Sequence, residues 1–253
     1  MDYAFATPVR NPLPAVILAA GRGARLRSGV PKPMTAVAGR SLLRRVLETC
    51  GEAGVGRVVF ALGYEADLLE RHARETADAL GLAIDCVRAP DWEKGNGVSA
   101  HAAARAADAS HFYLLMGDHI VAPGVLAALA ASPPPKGGVA LAVDLDPAAV
   151  HDLDDATKVR VRGDHFDAIG KTLDDWNGVD TGAFLCTHGV VTALDEAQRR
   201  GRYQLSDGIR TLAGAGLARA VDVTGLPWID VDTLDALEEA ERRMRPTIGA
   251  AAR

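Results

Sequence analysis

The sequence predicts a folded α/β protein built around a mostly parallel sheet that is covered by helices. Short β-branched runs alternate with amphipathic segments through the first half of the chain, and each run is too short for a helix. The 253 residues are 48% hydrophobic and 24% charged, which is an ordinary globular balance. A chain of this length can bury the full core of one large domain.

The predicted strands are the apolar runs that turn residues separate. They read AVILA (15–19), RVVFAL (57–62), AIDCVRA (83–89), FYLLMG (112–117) and GVALAV (138–143). The segments between them predict helices, one capped by Ser41 and others over 65–80 and 98–107. Strand, helix and strand in succession place parallel strands side by side, with helices on both faces of the sheet.

After the stretch SPPPKGG, the pattern loosens into shorter elements. We predict strands near 158–162, 179–186 and 228–231, and a helix from Leu234. This second half is interpreted as a substrate-facing extension of the same domain. We therefore expect a flexible lead-in over 1–14, a single domain over 15–245 and a tail over 246–253.

Charge and cysteine usage exclude several classes of protein. A net charge of -5 and a pI near 5.8 argue against a chain that coats nucleic acid or a membrane surface. The 3 cysteines are far apart and match no disulfide or zinc spacing, which favours the reducing cytoplasm. The longest uncharged run, 120–135, is broken by Pro123 and ends in prolines, so we expect no membrane anchor within this sequence.

A glycine-rich and basic loop, GRGARLRSGVPKP, follows the first predicted strand. Gly21 and Gly23 would let the backbone approach a ligand closely, and the loop after the first strand of an open α/β sheet commonly binds phosphate. No acidic residue lies between Asp2 and Glu48, whereas the same interval contains Arg10, Arg22, Arg25, Arg27, Lys32, Arg40, Arg44 and Arg45. The sequence thus predicts a local positive field for a polyanion. Leu26 and Pro31 stand where a dinucleotide fingerprint and a Walker loop, respectively, require glycine.

Carboxylates are expected at the same edge of the sheet. Asp118 closes the strand FYLLMG, and Asp230 and Asp232 are two residues apart on a predicted strand, so both side chains point to one face. Such carboxylates predict a Mg²⁺ site. Which member of the pair holds the metal stays open, and Asp232 has an alternative role as a cap of the following helix. His119 is interpreted as a strand-end histidine rather than a ligand.

The loop pattern G-x-G-x-R-L followed by P-K-P resembles the signature of the sugar-phosphate nucleotidyltransferases. Within that family, the order and spacing of further motifs are most similar to the CTP:inositol-1-phosphate cytidylyltransferases. These motifs are DWEKGNGVSA (91–100), MGDH (116–119), ATKVRV (156–161), IGK (169–171), VDTGAF (179–184), LSD (205–207) and WIDVDT (228–233). The resemblance spans roughly 15–243 and implies a Rossmann-like (GT-A-type) three-layer nucleotidyltransferase fold with a mixed, mostly parallel sheet.

The resemblance also implies substrates and roles for individual residues. It implies a nucleotide-binding half over about 15–135, an acceptor-binding half over about 136–245, and Mg²⁺-dependent transfer of a cytidylyl group from CTP to a polyol phosphate, inositol 1-phosphate, giving CDP-inositol and pyrophosphate. Arg25 and Lys32 would be catalytic. The nucleotide-binding residues would be Ala19, Ala20, Gly21, Gly23, Lys94, Gly95, Asn96 and Gly97. The acceptor-binding residues would be Lys158, Lys171, Asp180 and Thr181. A homodimer is compatible with the sequence, which does not fix the oligomeric state.

Three alternatives remain open at this point. Related nucleotidyltransferases that act on phosphocholine, sugar 1-phosphates or phosphonates share the first loop and the aspartates. A nucleotide-sugar glycosyltransferase would also show an Asp-x-Asp motif, but it would lack the glycine-rich loop with its lysine. A non-catalytic module on the same fold would typically have lost Lys32 or a metal aspartate, and all of these are present.

Overall fold

The computed structural model describes residues 13–23, 25–26 and 29–245. Most of the predicted lead-in and the whole predicted tail over 246–253 lie outside the described residues. Arg10 and Arg27 of the basic stretch lie outside them as well.

The described chain consists of strands and helices in alternation. The strands are β1 (Ala15–Ala19), β2 (Ala36–Val37), β3 (Arg40–Ser41), β4 (Arg57–Leu62), β5 (Ala83–Arg88), β6 (His111–Met116), β7 (His119–Val121), β8 (Val139–Asp144), β9 (Lys158–Arg162), β10 (His165–Gly170), β11 (Gly178–Thr187), β12 (Ala218–Asp222) and β13 (Trp228–Asp230). The helices are α1 (Leu42–Glu52), α2 (Ala66–Leu80), α3 (Asn96–Ala107), α4 (Pro123–Ala131), α5 (Gly189–Arg199), α6 (Leu205–Gly214) and α7 (Leu234–Met244). Lys32–Met34 forms a short 3₁₀ turn.

The central sheet has 9 strands in the order β5-β4-β1-β6-β11-β8-β12-β10-β9. Strands β5, β4, β1 and β6 pair in parallel, and so do β8 and β12. Strand β11 runs antiparallel to β6 and β8, and β10 runs antiparallel to β12 and β9. The predicted α/β class with a mixed sheet is therefore confirmed. The main core consists of two buried apolar clusters, and the strands of the sheet contribute residues to both of them.

Several local predictions match the structure to the residue. Strands β1, β4 and β9 and the start of α7 coincide with the predicted bounds. Ser41 caps α1, because its hydroxyl accepts a hydrogen bond from the Arg44 amide at 3.2 Å. Strands β10 and β12 and helices α5 and α6, which we did not predict, fill the second half.

Two pairings bring the predicted site residues together. Strands β1 and β6 are neighbours, with Leu18 opposite Met116, so the loop after β1 and Asp118 emerge at one edge. A separate two-stranded sheet pairs β13 with β7 and sets Asp230 opposite His119. Within the described residues, no helix is both long and apolar enough to cross a membrane.

Candidate active site

Two clefts lie side by side at the edge of the sheet that the loop after β1 occupies. The first cleft has a volume of about 350 Å³ and is lined by Ala19 at the end of β1 and by the following loop, including Gly21, Gly23, Arg25 and Lys32. The second cleft has a volume of about 440 Å³ and is lined mainly by residues of the second half. Asp118 and Asp232 line both clefts, so the two spaces meet at these carboxylates.

Lys32 lies at this junction. Its side chain is only 6% exposed, and its ammonium group donates to Asp118 Oδ2 at 2.6 Å and contacts Asp232. Asp230 Oδ1 lies 3.9 Å from the same nitrogen. The structure therefore brings together Lys32 and all three predicted metal-site aspartates, as the sequence predicted for one edge of the sheet.

His119 orients Asp230. Its Nδ1 donates to the Thr181 carbonyl at 2.8 Å, and its Nε2 lies 3.3 Å from Asp230 Oδ2. Burial alone would lower the pKa of His119, but the carboxylates of Asp230 and Asp118 outweigh it and raise the pKa to about 9. Burial likewise opposes ionisation of Asp230, yet the charges of His119, Lys32 and Arg25 lower its pKa to about 2. Each group thus favours the charged form of the other.

The donor set fits a hard divalent cation. Asp118, His119 and Asp230 each offer a ligand atom within 4.8 Å of the others. Asp230 Oδ1 is buried without a hydrogen-bond donor, and such an atom ordinarily needs a partner. Because Mg²⁺ prefers oxygen ligands and His119 Nε2 already lies 3.3 Å from Asp230 Oδ2, the two carboxylates are the suitable ligands.

Asp232 lies outside this group of three residues. Its carboxylate contacts both Lys32 and Arg25, and these cations occupy its oxygens. The cap of α7 is Thr233, whose hydroxyl accepts from the Ala236 amide at 3.2 Å, so the alternative role of Asp232 as the cap is wrong. Asp232 instead ties the basic loop to the strand end.

Arg25 and Lys171 meet at a carboxylate that the sequence did not single out. Arg25 Nη1 and Lys171 Nζ each lie 2.7 Å from Asp155, on different oxygens. Lys171 lines the second cleft and Arg25 lines the first. One predicted catalytic residue and one predicted acceptor-binding residue are thus joined across the two clefts.

The predicted nucleotide-binding loop is shaped by one close approach. Gly23 has φ +61°, and a Cβ there would lie 2.3 Å from Lys32 Cβ, so glycine allows the loop to pack on the lysine stem. The Ala20 carbonyl accepts a hydrogen bond from the Tyr64 amide at 3.0 Å. Arg22 lies over the Tyr64 ring, with its guanidinium carbon 5.4 Å from the ring centroid.

The EKGNG segment packs against the start of α6. A Cβ on Gly95 would lie 2.5 Å from the Tyr203 carbonyl oxygen, and one on Gly97 would lie 2.7 Å from the same atom. Asn96 lines the second cleft and accepts a hydrogen bond from the Leu205 amide at 2.8 Å. Lys94 is exposed and pairs with Asp91 at 2.8 Å. The glycines of this segment therefore have a packing role, whatever their part in nucleotide binding.

The predicted acceptor residues divide into two groups. Lys171 and Asp180 line the second cleft. Lys158 is buried, and its ammonium group donates to the Asp154 carbonyl at 2.9 Å, while the Thr181 hydroxyl donates to the Ala142 carbonyl at 2.9 Å. Neither of the latter two lines the cleft among the described residues, although their chain neighbours Thr157, Asp180 and Gly182 do.

Several residues of the second cleft were not predicted from sequence. They are His119, His151, Asp152, Asp155, Gln204, Ser206, Arg210 and Trp228. The motifs MGDH, LSD and WIDVDT contained some of them, so these motifs were the available signal. Asp155 is 130 residues from Arg25 in sequence, and no local pattern reveals that contact.

Comparisons with known proteins identify the family. The MobA-like NTP transferase domain matches residues 15–164, which include the basic loop, Lys32 and Asp118. The chain belongs to the MobA-like NTP transferase family. The prediction of a nucleotidyltransferase is thereby confirmed, and the resemblance stated from the motifs is borne out.

Relatives of this NTP transferase carry informative names. It is 37% identical to a bifunctional IPC transferase and DIPP synthase from Rubrobacter xylanophilus, over 93% of this chain and 52% of the relative. It is 33% identical to a CMP-5'-(3-aminopropyl)phosphonate synthase from Streptomyces rubellomurinus, over 96% of this chain and 40% of the relative. The chain thus spans about half the length, or less, of these curated relatives.

Solved structures confirm the fold of this NTP transferase. The inositol-1-phosphate CTP transferase from T. maritima superposes with a TM-score of 0.79 at 24% identity, covering 94% of this chain and 98% of that one. A UDP-glucose pyrophosphorylase complexed with UDP-glucose superposes with a TM-score of 0.77 at 17% identity, covering 92% and 98%. The predicted Rossmann-like nucleotidyltransferase fold is therefore correct.

Proposed function

We propose that this protein transfers a cytidylyl group from CTP to a polyol phosphate, inositol 1-phosphate, giving CDP-inositol and pyrophosphate, with Mg²⁺ as the cofactor. The family supports nucleotidyl transfer. The relative from R. xylanophilus and a second, 32% identical relative from Thermococcus kodakarensis share the name bifunctional IPC transferase and DIPP synthase, which supports the choice of acceptor.

One observation supports the reaction most strongly: the two clefts meet at Asp118 and Asp232, beside the ammonium group of Lys32. A nucleotidyl transfer requires two phosphate groups to meet where their negative charge is offset. A glycosyltransferase would need no such basic loop, and a binding module would need no second cleft. The geometry therefore favours an enzyme with two phosphorylated substrates.

In the proposed reaction an oxygen of the acceptor phosphate attacks the α-phosphorus of CTP, and pyrophosphate leaves. The acceptor phosphate is already ionised at neutral pH, so no general base is required. Lys32 and Arg25 stabilise the charge of the transferring group, and the backbone around Gly21 and Gly23 admits the triphosphate. Asp118 and Asp230 would hold Mg²⁺, which would offset charge on the triphosphate.

The second cleft has the chemistry that a polyol phosphate needs. Lys171 and Arg210 offer cations for a phosphate, and carboxylates such as Asp152 and Asp180 can accept hydrogen bonds from hydroxyl groups. Phe184 and Trp228 are the only Phe, Tyr or Trp rings in the described lining. A trimethylammonium group favours a cage of several rings, which weighs against phosphocholine.

An aminoalkyl phosphonate is the second candidate acceptor. The relative from S. rubellomurinus is named for such a product. The same carboxylates of the second cleft would suit an ammonium group as well as hydroxyls. The reaction would be the same cytidylyl transfer, with the phosphonate oxygen as the nucleophile.

Pyrophosphate release with CTP and Mg²⁺ against a panel of phosphates tests the proposal. We expect release with inositol 1-phosphate, none in EDTA and recovery when Mg²⁺ is added. A preference for 3-aminopropylphosphonate would select the second candidate. No release with any member of the panel would contradict cytidylyl transfer to a small phosphate or phosphonate.

We also propose a cytoplasmic location, because the cysteines are unpaired and two of them are buried. The homodimer stays a prediction, and sedimentation velocity on the purified protein tests it directly. A single species at the mass of one chain would contradict it.

A further inference from the structure

Asp155 lies on a loop whose backbone is fixed from two sides. Its own amide donates to the Asp152 carbonyl at 3.2 Å, and the buried ammonium group of Lys158 donates to the Asp154 carbonyl at 2.9 Å. Asp152, Asp155 and their neighbours line the second cleft. The carboxylate of Asp155 is therefore presented to the cleft from an anchored segment.

This carboxylate holds two cations from different parts of the chain. Its Oδ2 lies 2.7 Å from Arg25 of the loop after β1, and its Oδ1 lies 2.7 Å from Lys171 after β10. Burial alone would raise the pKa of Asp155, but hydrogen bonds from Lys171 and Arg25 outweigh it and hold the pKa below its usual range. Asp155 is thus an anion shared by both cations.

The contribution of these ion pairs to folding is small. The side chains of Arg25 and Lys171 are 53% and 55% exposed, and pairs with such exposure are well screened by water. The arrangement instead fixes positions. Asp155 holds Arg25 and Lys171, which would otherwise repel each other, close together between the two clefts.

We propose that Asp155 is a positioning residue that aligns Arg25 with the nucleotide phosphates and Lys171 with the acceptor phosphate, so that the two substrates meet in line. This inference rests on the proposed function. Small displacements of such groups reduce rates strongly, because the reacting atoms must approach along a defined direction.

The two cations depend on Asp155 to different degrees. Arg25 keeps a second carboxylate, Asp232, when Asp155 is removed. Lys171 has no other ion-pair partner among the residues that the structure describes. The loss of Asp155 should therefore affect the acceptor more than the nucleotide.

Steady-state kinetics and calorimetric binding of CTP and inositol 1-phosphate to Asp155→Asn test this. We expect the kcat/KM for inositol 1-phosphate to fall about 100-fold, with a KM increase of about 10-fold, while the affinity for CTP changes about 3-fold or less. Asp155→Glu should recover part of the loss. Adding Lys171→Met to Asp155→Asn should cost less than the two single losses combined, because both remove one contact.

Asp154→Asn is the matched control, since Asp154 is exposed on the same loop, lines neither cleft and forms no ion pair with Arg25 or Lys171 within the described chain. Kinetic and binding constants of Asp155→Asn equal to those of this control would overturn the positioning role. Equal increases in both KM values would also overturn it. A wild-type protein that binds both substrates without releasing pyrophosphate would contradict the proposed function alone, and the binding constants of the variants would still decide the role of Asp155.

Discussion

At the residue scale, Lys32 is both buried and surrounded by carboxylates, so its charge should contribute to turnover and also to the stability of the fold. Lys32→Ala should lower turnover on the order of 100-fold, because a preorganised charge at the reacting phosphate is lost. It should also destabilise the nucleotide-free protein by about 1–3 kcal/mol, since Asp118 and Asp232 lose their shared cation. Turnover and thermal unfolding measure the two effects.

Mg²⁺ separates these effects. A divalent cation at the carboxylates should raise the Tm of Lys32→Ala more than that of the wild type, because it offsets the repulsion that the substitution exposes. Lys136→Ala, outside both clefts, is the control. Near-wild-type turnover in a well-folded Lys32→Ala would show that Lys32 is not catalytic.

The three aspartates at the junction should respond differently to neutralisation. Asp118→Asn and Asp230→Asn should each raise the Mg²⁺ concentration for half-maximal activity by about 10-fold or more, as loss of a carboxylate ligand does. Asp232→Asn should leave that concentration within about 3-fold and lower kcat instead, because Asp232 contacts Lys32 and Arg25. Mg²⁺ titrations of initial rate check this, and a larger shift for Asp232→Asn than for Asp230→Asn would reverse the assignment.

The surroundings of Asp180 favour its neutral form more than water does. Burial raises its pKa from 3.8 to about 6, against the hydrogen bond from the Gly182 amide. Because the folded-state pKa lies above the unfolded value, the folded state binds the proton more tightly, and stability falls as pH rises through about 4 to 6. Asp180→Asn keeps an acceptor for Gly182 without the charge, so it should be more stable than the wild type by up to about 3 kcal/mol at pH 8.

Urea denaturation at pH 4 and pH 8 measures that difference. The advantage of Asp180→Asn should be small at pH 4 and full at pH 8, and its affinity for the acceptor should fall. An advantage that is independent of pH would show that the charge of Asp180 is not the cause.

At the scale of elements, the start of α3 depends on the absence of a side chain. Gly97→Ala would place a Cβ 2.7 Å from the Tyr203 carbonyl oxygen, so the backbone must shift, at a cost of about 1–3 kcal/mol. Gly51→Ala in α1 is the control, because a Cβ there meets nothing within 4 Å. Chemical denaturation should show the first variant destabilised and the second neutral or more stable. Equal stabilities would contradict the close packing of α3 on the segment before α6.

At the same scale, the secondary-structure prediction succeeded for strands such as β1 and β4, whose residues are nearly all apolar. The runs AVILA and RVVFAL are buried along almost their whole length, so an apolar β-branched stretch identifies them. Strands β10 and β12 mix charged and apolar residues and exist because they pair with each other and with neighbouring strands. Tertiary pairing of that kind leaves a weak local signal.

At the scale of the whole molecule, the sequence predicted which residues meet at the junction of the two clefts, but it did not predict the contacts between distant segments. Lys32, Asp118 and Asp230 follow from a basic loop and carboxylates at strand ends. Asp155 could not be found, because its contacts join segments that are far apart in sequence. Lys158 was predicted as a residue facing the acceptor, whereas the structure shows a buried anchor of the loop that carries Asp155.

The central claim is that an oxygen of the acceptor phosphate attacks the α-phosphorus of CTP where the two clefts meet. The most direct test uses inositol 1-phosphate labelled with ¹⁸O in its phosphate, unlabelled CTP and Mg²⁺, with ³¹P NMR and mass spectrometry of the products. The account predicts CDP-inositol that retains all of the label, one labelled oxygen bridging the two phosphorus atoms, and pyrophosphate without label. Label in the pyrophosphate, or CMP in place of CDP-inositol, would contradict it.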